Sequence, residues 1–172
     1  MGSTVHLLVI DNRDSFVYNV VELLRSLPEL TFEVISEGEL ELSSLPEHDG
    51  LILSPGPGVP SEFPRRQALI RAEAGVKPIL GICLGHQALA EHYGATLVQL
   101  PAPRHGHASA LVVRDSADSL VGAIPTGSLV GRYHSWAVDE ASLPPCLVPT
   151  AYCADAGEGR VLMAMRHRTE PV

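Results

Sequence analysis

The chain has 172 residues, a net charge of −8 and 45% hydrophobic residues, a composition typical of a globular domain that buries its own core. Lys77 is the only lysine, and the lack of a basic cluster argues against binding to nucleic acid or to an anionic membrane surface. The three cysteines form neither a disulfide framework nor a zinc-ligand spacing, and no apolar run is long enough to cross a bilayer. We therefore expect a soluble, cytoplasmic protein.

The first 94 residues alternate apolar, strand-like runs with segments of helical spacing. The run at 5–10 ends at Asp11, and apolar residues then recur at helical intervals until Pro28. Such alternation predicts an α/β fold with a mostly parallel open sheet and helices on both faces. The predicted strands are 5–10, 32–35, 51–53 and 78–82, and the predicted helices are 16–27, a helix beginning at Pro64, and 84–93.

The rest of the chain has a different pattern, in which short apolar runs are separated by turn-forming residues. It predicts a small antiparallel sub-sheet, with a weak helical signal only at 118–123. No repeat or linker interrupts the sequence, so we expect one domain spanning residues 1–172. The predicted strands here are 96–100, 109–113, 128–133, 147–153 and 160–167.

The sequence Gly81-Ile82-Cys83-Leu84-Gly85 lies where a predicted strand meets a predicted helix. This is the pattern of a nucleophile elbow, in which flanking glycines make room for a strained backbone at the nucleophile. The helix N-terminus would favour the thiolate of Cys83, and the N–H of Leu84 would point at a developing oxyanion. The alternative interpretation is a small buried cysteine, the more common fate of a free thiol.

A second loop, Gly56-Pro57-Gly58, follows another predicted strand. Ligands of open parallel sheets bind at the carboxyl ends of the strands, so this loop and Cys83 should share one edge of the sheet. The loop backbone could then offer a second N–H to an oxyanion. A plain tight turn is the alternative, and composition alone favours it.

Five motifs stand in order between Val5 and Val172, and together they resemble the class I (triad) glutamine amidotransferases. The most similar branch contains anthranilate synthase component II and the amidotransferase component of aminodeoxychorismate synthase. The motifs are Asp11-Asn12-x-Asp14-Ser15-Phe16-x-Tyr18-Asn19, Ser54-Pro55-Gly56-Pro57-Gly58, Gly81-Ile82-Cys83-Leu84-Gly85-His86-Gln87, His105-Gly106 and Arg132-Tyr133-His134-Ser135.

This resemblance implies that Cys83 attacks the side-chain amide of L-glutamine, forms a γ-glutamyl thioester and releases ammonia. A larger, chorismate-binding synthase subunit would receive the ammonia, and the segment 14–19 would lie near that partner. No cofactor and no metal are expected in this subunit. The residues expected to bind glutamine or its oxyanion are Gly56, Pro57, Gly58, Leu84, Gln87, Ser135 and Trp136.

The sequence departs from the family in one important respect. The general base and its orienting acid lie in a His-Pro-Glu-Ser motif of the family, and no His-x-Glu follows the corresponding segment 161–167. We expect that the sequence lacks a C-terminal strand and helix by truncation, and that the chain as written has negligible glutaminase activity. His134 and His167 are possible substitutes for the base, although a structural role is the favoured interpretation of each, and His86 is expected to pack within the sheet–helix layer.

Three functional interpretations remain open at this stage. The first is a glutaminase subunit that supplies ammonia for the synthesis of anthranilate, as in tryptophan biosynthesis, or of aminodeoxychorismate, as in folate biosynthesis. The second is a triad-deficient, non-catalytic module that binds the same partner. The third, a thiol hydrolase of the α/β-hydrolase type, fits less well because the chain is short and its elbow continues as Gly85-His86-Gln87.

Overall fold

A computed structural model describes residues 4–155 and 159–172, which form two compact units. Unit 1 extends to His92 and includes Glu170–Val172, and unit 2 comprises the described part of Tyr93–Thr169. The described elements are β1 (Val5–Asp11), α1 (Val17–Arg25), β2 (Leu30–Ser36), β3 (Gly50–Leu53), α2 (Pro64–Glu73), β4 (Ile79–Gly81), α3 (Leu84–His92), β5 (Leu97–Val113), β6 (Leu129–Val138), β7 (Leu147–Asp155) and β8 (Gly159–His167), with 3-10 turns at Glu37–Glu39, Leu42–Ser44, Pro60–Glu62 and Glu140–Ser142.

Unit 1 contains a parallel sheet with the strand order β2-β1-β3-β4. Its central strands are apolar on both faces, as expected for strands covered on both sides. On one face Val9 and Ile52 pack with Leu24 of α1. On the other face Leu53 lies directly against Gly85 of α3. The predicted parallel sheet with helices on both faces is therefore confirmed.

Unit 2 contains an antiparallel sheet with the strand order β6-β5-β7-β8. Its core includes Leu111 of β5 and the completely buried Ala151 and Cys153 of β7. The predicted antiparallel sub-sheet is confirmed, and among the described residues it has as many strands as the parallel sheet. None of the described helices is both long and apolar enough to cross a membrane.

The structure corrects two predicted strand boundaries in unit 2. One continuous strand, β5, replaces the two strands predicted at 96–100 and 109–113. The intervening prolines and Gly106 suggested a break, but the pairing with β6 accommodates them by shifts of register. β6 also continues to Val138, so Ser135 and Trp136 lie within the strand, beyond its predicted end at 133.

The weak helical signal at 118–123 was wrong, because this segment forms successive turns. Asp118 explains the difference: its Oδ1 accepts the backbone N–H groups of Leu120 and Val121, at 2.9 and 2.8 Å. Pro125 then prevents the turns from continuing as a helix. A short polar side chain that binds nearby backbone N–H groups favours such turns over helix.

Candidate active site

Cys83 lies between β4 and α3 and has a φ angle of 53°, a left-handed conformation that is uncommon for residues other than glycine. The chain turns sharply here from a parallel strand into a helix. The helix is fixed immediately, because the backbone N–H of Gln87 donates to the carbonyl oxygen of Cys83 at 3.0 Å. A strained residue at the carboxyl edge of a parallel sheet is the geometry expected of a nucleophile elbow.

The two glycines that flank Cys83 are required by close backbone contacts. A Cβ on Gly81 would lie 2.6 Å from the carbonyl carbon and oxygen of Gly85. A Cβ on Gly85 would lie 2.2 Å from the carbonyl oxygen of Leu53, which already accepts the N–H of Ile82 at 2.9 Å. The sequence pattern of the elbow therefore reflects direct contact between β3, β4 and the start of α3.

The electrostatic environment of Cys83 differs from the prediction. Burial raises the pKa of the Cys83 thiol, the backbone N–H of Leu84 lowers it by hydrogen bonding, and the charge of Asp14 raises it. The net direction is upward, so the thiol is the stable form at neutral pH. The expected preference for thiolate was wrong because burial outweighs the N–H at the start of α3. Nucleophilic attack by this sulfur thus requires a base to remove its proton.

The Ser54–Gly58 loop lies beside the elbow, as the sequence predicted. A Cβ on Gly56 would lie 2.5 Å from Cδ2 of Leu84 and 2.6 Å from Cβ of Asn12, so only glycine fits between these two side chains. Gly58 has a φ angle of 71°, and Pro57 is exposed at the tip of the loop. The backbone at Gly56 is thus held next to Leu84, whose N–H approaches the Cys83 sulfur.

Asn12 is a site residue whose role the sequence did not reveal. It is completely buried at the end of β1, and its Nδ2 donates to the carbonyl oxygen of Ser54 at 2.8 Å and to its Oγ at 3.2 Å. The backbone N–H of Asn12 also donates to Ser54 Oγ at 3.1 Å. The available signal was a carboxamide directly after an apolar, parallel strand, but its partner lies 42 residues away.

The remaining predicted site residues are divided between the two units. Gln87 is buried in the first turn of α3, whereas Ser135 and Trp136 are half-buried in β6 of unit 2. His134 Nδ1 hydrogen-bonds to the carbonyl oxygen of Trp136 at 2.8 Å, and its Nε2 accepts from Arg132 Nε at 3.1 Å. Since both ring nitrogens are engaged, these contacts support a structural role for His134.

His167 also has contacts that support a structural role. It ends β8 and is mostly buried, with its ring 4.6 Å from the ring of Tyr93. Its Nδ1 accepts the backbone N–H of Thr169 at 3.3 Å. The interpretation favoured from the sequence, a polar residue at the end of a strand, agrees with this environment.

An elbow cysteine at the carboxyl edge of a parallel sheet, with a glycine loop held beside it, defines a protein built for nucleophilic chemistry on an acyl group. The model of the family "Glutamine amidotransferase class-I" matches residues 8–172. The chain belongs to this family.

Named relatives and a solved structure agree with this family membership. The chain is 39% identical to anthranilate synthase component 2 of Lactococcus lactis over 168 residues, covering 96% of this chain and 81% of that protein. It is 40% identical to aminodeoxychorismate synthase component 2 of Serratia marcescens over 174 residues, covering 94% and 84%. A crystal structure of a Thermoplasma acidophilum protein assigned to GMP synthase is 25% identical, with a TM-score of 0.82 and coverage of 99% and 82%.

Proposed function

We propose that this protein is the glutamine amidotransferase subunit of a synthase that aminates chorismate, with Cys83 as its nucleophile. The observation that carries the proposal is the strained Cys83, with Gly56 packed against Leu84 beside it. Family membership supports glutamine as the nitrogen donor, and two relatives named as the second component of a synthase support a chorismate-binding partner.

The chemistry follows from the positions of these groups. A base removes the proton of the Cys83 thiol, and the sulfur attacks the γ-amide carbon of glutamine. The N–H of Leu84 and the backbone of the Gly56–Gly58 loop stabilise the oxyanion of the tetrahedral intermediate. Its collapse breaks the C–N bond, ammonia leaves with the transferred proton, and water hydrolyses the γ-glutamyl thioester to glutamate.

The residues expected to bind glutamine are those that the family resemblance assigns. Gln87 and Ser135 would bind it through their side chains, and Trp136 through its backbone. The half-buried positions of Ser135 and Trp136 are compatible with this assignment. The base is expected to be a histidine, because that is the residue the family uses.

The decisive experiment compares glutamine with ammonium as nitrogen donor in the complex of the full-length protein with its chorismate-binding partner. Cys83→Ser should abolish synthesis from glutamine and leave synthesis from ammonium chloride unchanged, because only the first route needs a thioester. Cys146→Ser is the matched control, since Cys146 is also a half-buried free thiol. Continued use of glutamine by the Cys83→Ser complex would disprove the assignment.

The same assay separates the two synthase branches. Relatives of both names have nearly equal identity to this chain, 39% and 40%, and we favour anthranilate on the basis of the Ser54–Glu62 sequence. Pairing the protein with each type of partner and measuring anthranilate by fluorescence, or aminodeoxychorismate by chromatography, would identify the product. A complex that forms but never uses glutamine would support the alternative, a non-catalytic partner-binding module.

A further inference from the structure

We propose that Asn12 is a positioning residue for the oxyanion loop Ser54–Gly58, which it holds in place through Ser54. This inference rests on the proposed function, because the loop matters only if an oxyanion forms at Cys83. Asn12 belongs to the motif 11–19, and the proposed chemistry by itself gives Asn12 no role.

Asn12 contacts the oxyanion loop at two residues, Ser54 and Gly56. Its Nδ2 and backbone N–H bond to Ser54 at the start of the loop, at distances of 2.8 to 3.2 Å. Its Cβ and the Leu84 side chain both border the space that holds Gly56. The side chain therefore fixes where the loop begins and how closely Gly56 approaches the residue that follows Cys83.

The orientation of the Asn12 carboxamide supports a role as donor. Its Oδ1 is buried and has no hydrogen-bond partner among the described residues. Turning the amide over would bring Oδ1 against the carbonyl oxygen of Ser54, which can only accept. The observed orientation thus leaves this one buried acceptor of Asn12 unpaired among the described residues and keeps both Nδ2 contacts to Ser54.

Ser54 connects Asn12 by hydrogen bonds to Pro55, the next residue of the loop. Its side chain is completely buried, and its Oγ donates to the carbonyl oxygen of Pro55 at 2.8 Å while accepting from Asn12. Two buried side chains therefore determine the direction in which the backbone of Gly56 leaves β3. A shift of about 1 Å in such a preorganised site can reduce a rate about 100-fold.

The test measures acylation of Cys83 directly in the full-length protein, using the γ-p-nitrophenyl ester of L-glutamate. The Cys83 thiolate forms an S–C bond with the γ-carbonyl, the ester C–O bond breaks, p-nitrophenolate leaves with the electron pair, and the thiol proton passes to buffer. The burst of p-nitrophenolate gives the acylation rate constant, and its amplitude gives the fraction of competent sites. The leaving group needs no proton, so the burst reports formation of the oxyanion.

Two variants test the inference. Asn12→Asp keeps the shape of the side chain but replaces the Nδ2 donor, and we expect the acylation rate constant at saturating ester to fall about 10- to 100-fold with little change in the half-saturating concentration. Ser54→Ala removes only the hydroxyl and should lower it about 10-fold. Ser44→Ala is the matched control, because Ser44 is exposed in a 3-10 turn.

The outcomes separate positioning from structural support. A structural role would lower the burst amplitude and leave the rate constant of the remaining sites unchanged, and that result would overturn the inference. Iodoacetamide alkylates Cys83 without forming an oxyanion, so Ser54→Ala should react at the wild-type rate, and the alkylation rate of Asn12→Asp measures separately what the added negative charge does to the thiol. If Asn12→Asp does not fold, Ser54→Ala decides alone, and an unchanged acylation rate constant overturns the inference.

No burst in wild type, or one retained by Cys83→Ser, would overturn the proposed function and this inference together.

Discussion

Replacing Gly85 by alanine should damage the fold and the site at the same time. The added Cβ would lie 2.2 Å from the carbonyl oxygen of Leu53 and 2.7 Å from its Cβ, where ordinary contacts begin near 3.4 Å. Leu53 belongs to β3 and Gly85 to α3, and neither element can bend away, so β3 and the start of α3 must separate by about 1 Å. That separation would strain the bond from Ile82 N–H to the same oxygen. Overpacking of this severity costs about 3 kcal/mol in the free energy of unfolding.

Urea denaturation followed by far-ultraviolet circular dichroism measures this change, and the p-nitrophenyl ester burst measures its effect on the site. We expect a lower urea midpoint for Gly85→Ala and, in the protein that remains folded, about 100-fold slower acylation because Leu84 moves with α3. Gly131→Ala is the control, since the nearest atom to its Cβ would be 3.9 Å away. A Gly85→Ala protein within about 0.5 kcal/mol of wild type would refute the claim that these contacts require glycine.

Two further predictions concern charge. Burial raises the pKa of the Cys83 thiol and Asp14 raises it as well, so Asp14→Asn should move the pH dependence of iodoacetamide alkylation to lower pH, and an unchanged profile would contradict that contribution. In unit 2, a Glu140 carboxylate oxygen accepts a hydrogen bond from Tyr152 Oη at 2.8 Å, and the carboxylate also accepts one from Arg160 Nε at 3.0 Å. Burial raises the pKa of Glu140, but these hydrogen bonds and the nearby arginines outweigh burial, so the net pKa is lowered. Its stabilisation is therefore present above the ordinary pKa of 4.5 and is lost as pH falls through the lower native value. Glu140→Gln should lower the free energy of unfolding by about 1 kcal/mol at neutral pH and by much less near pH 3, as judged by urea midpoints; an equal loss at both pH values would show that charge is not involved.

The sequence predicted the elements of unit 1 well because their signals are local. Apolar runs with polar ends marked the parallel strands, and the Gly-x-Cys-x-Gly spacing located the elbow at Cys83. β5 was harder, since the prolines and Gly106 that suggest a break are tolerated once β6 pairs beside them with shifted register. Pairing with β6 therefore determines that Leu97–Val113 forms one continuous strand, and no short stretch of sequence contains that information.

The role of Asn12 and the state of the Cys83 thiol could not be predicted for a related reason. Asn12 acts through a contact 42 residues away, so its spacing in the sequence carries no signal of its partner. The pKa of Cys83 depends on how much of the surrounding protein excludes water, and the start of a helix gives only one of the contributions. Local pattern predicted the backbone of the site, whereas burial decided its electrostatics.

The contacts that position Cys83 also explain why its sulfur cannot act unaided. Gly56 and Gly85 each lie closer to neighbouring atoms than any Cβ would permit, so the elbow and the loop are packed together without intervening side chains. Cys83 is half-buried in this packing, and burial is the largest cause of its raised pKa. On the proposed function, the packing that holds the Gly56–Gly58 loop beside Cys83 is therefore accompanied by a raised thiol pKa, and attack on glutamine needs a base as well as the strained backbone at Cys83.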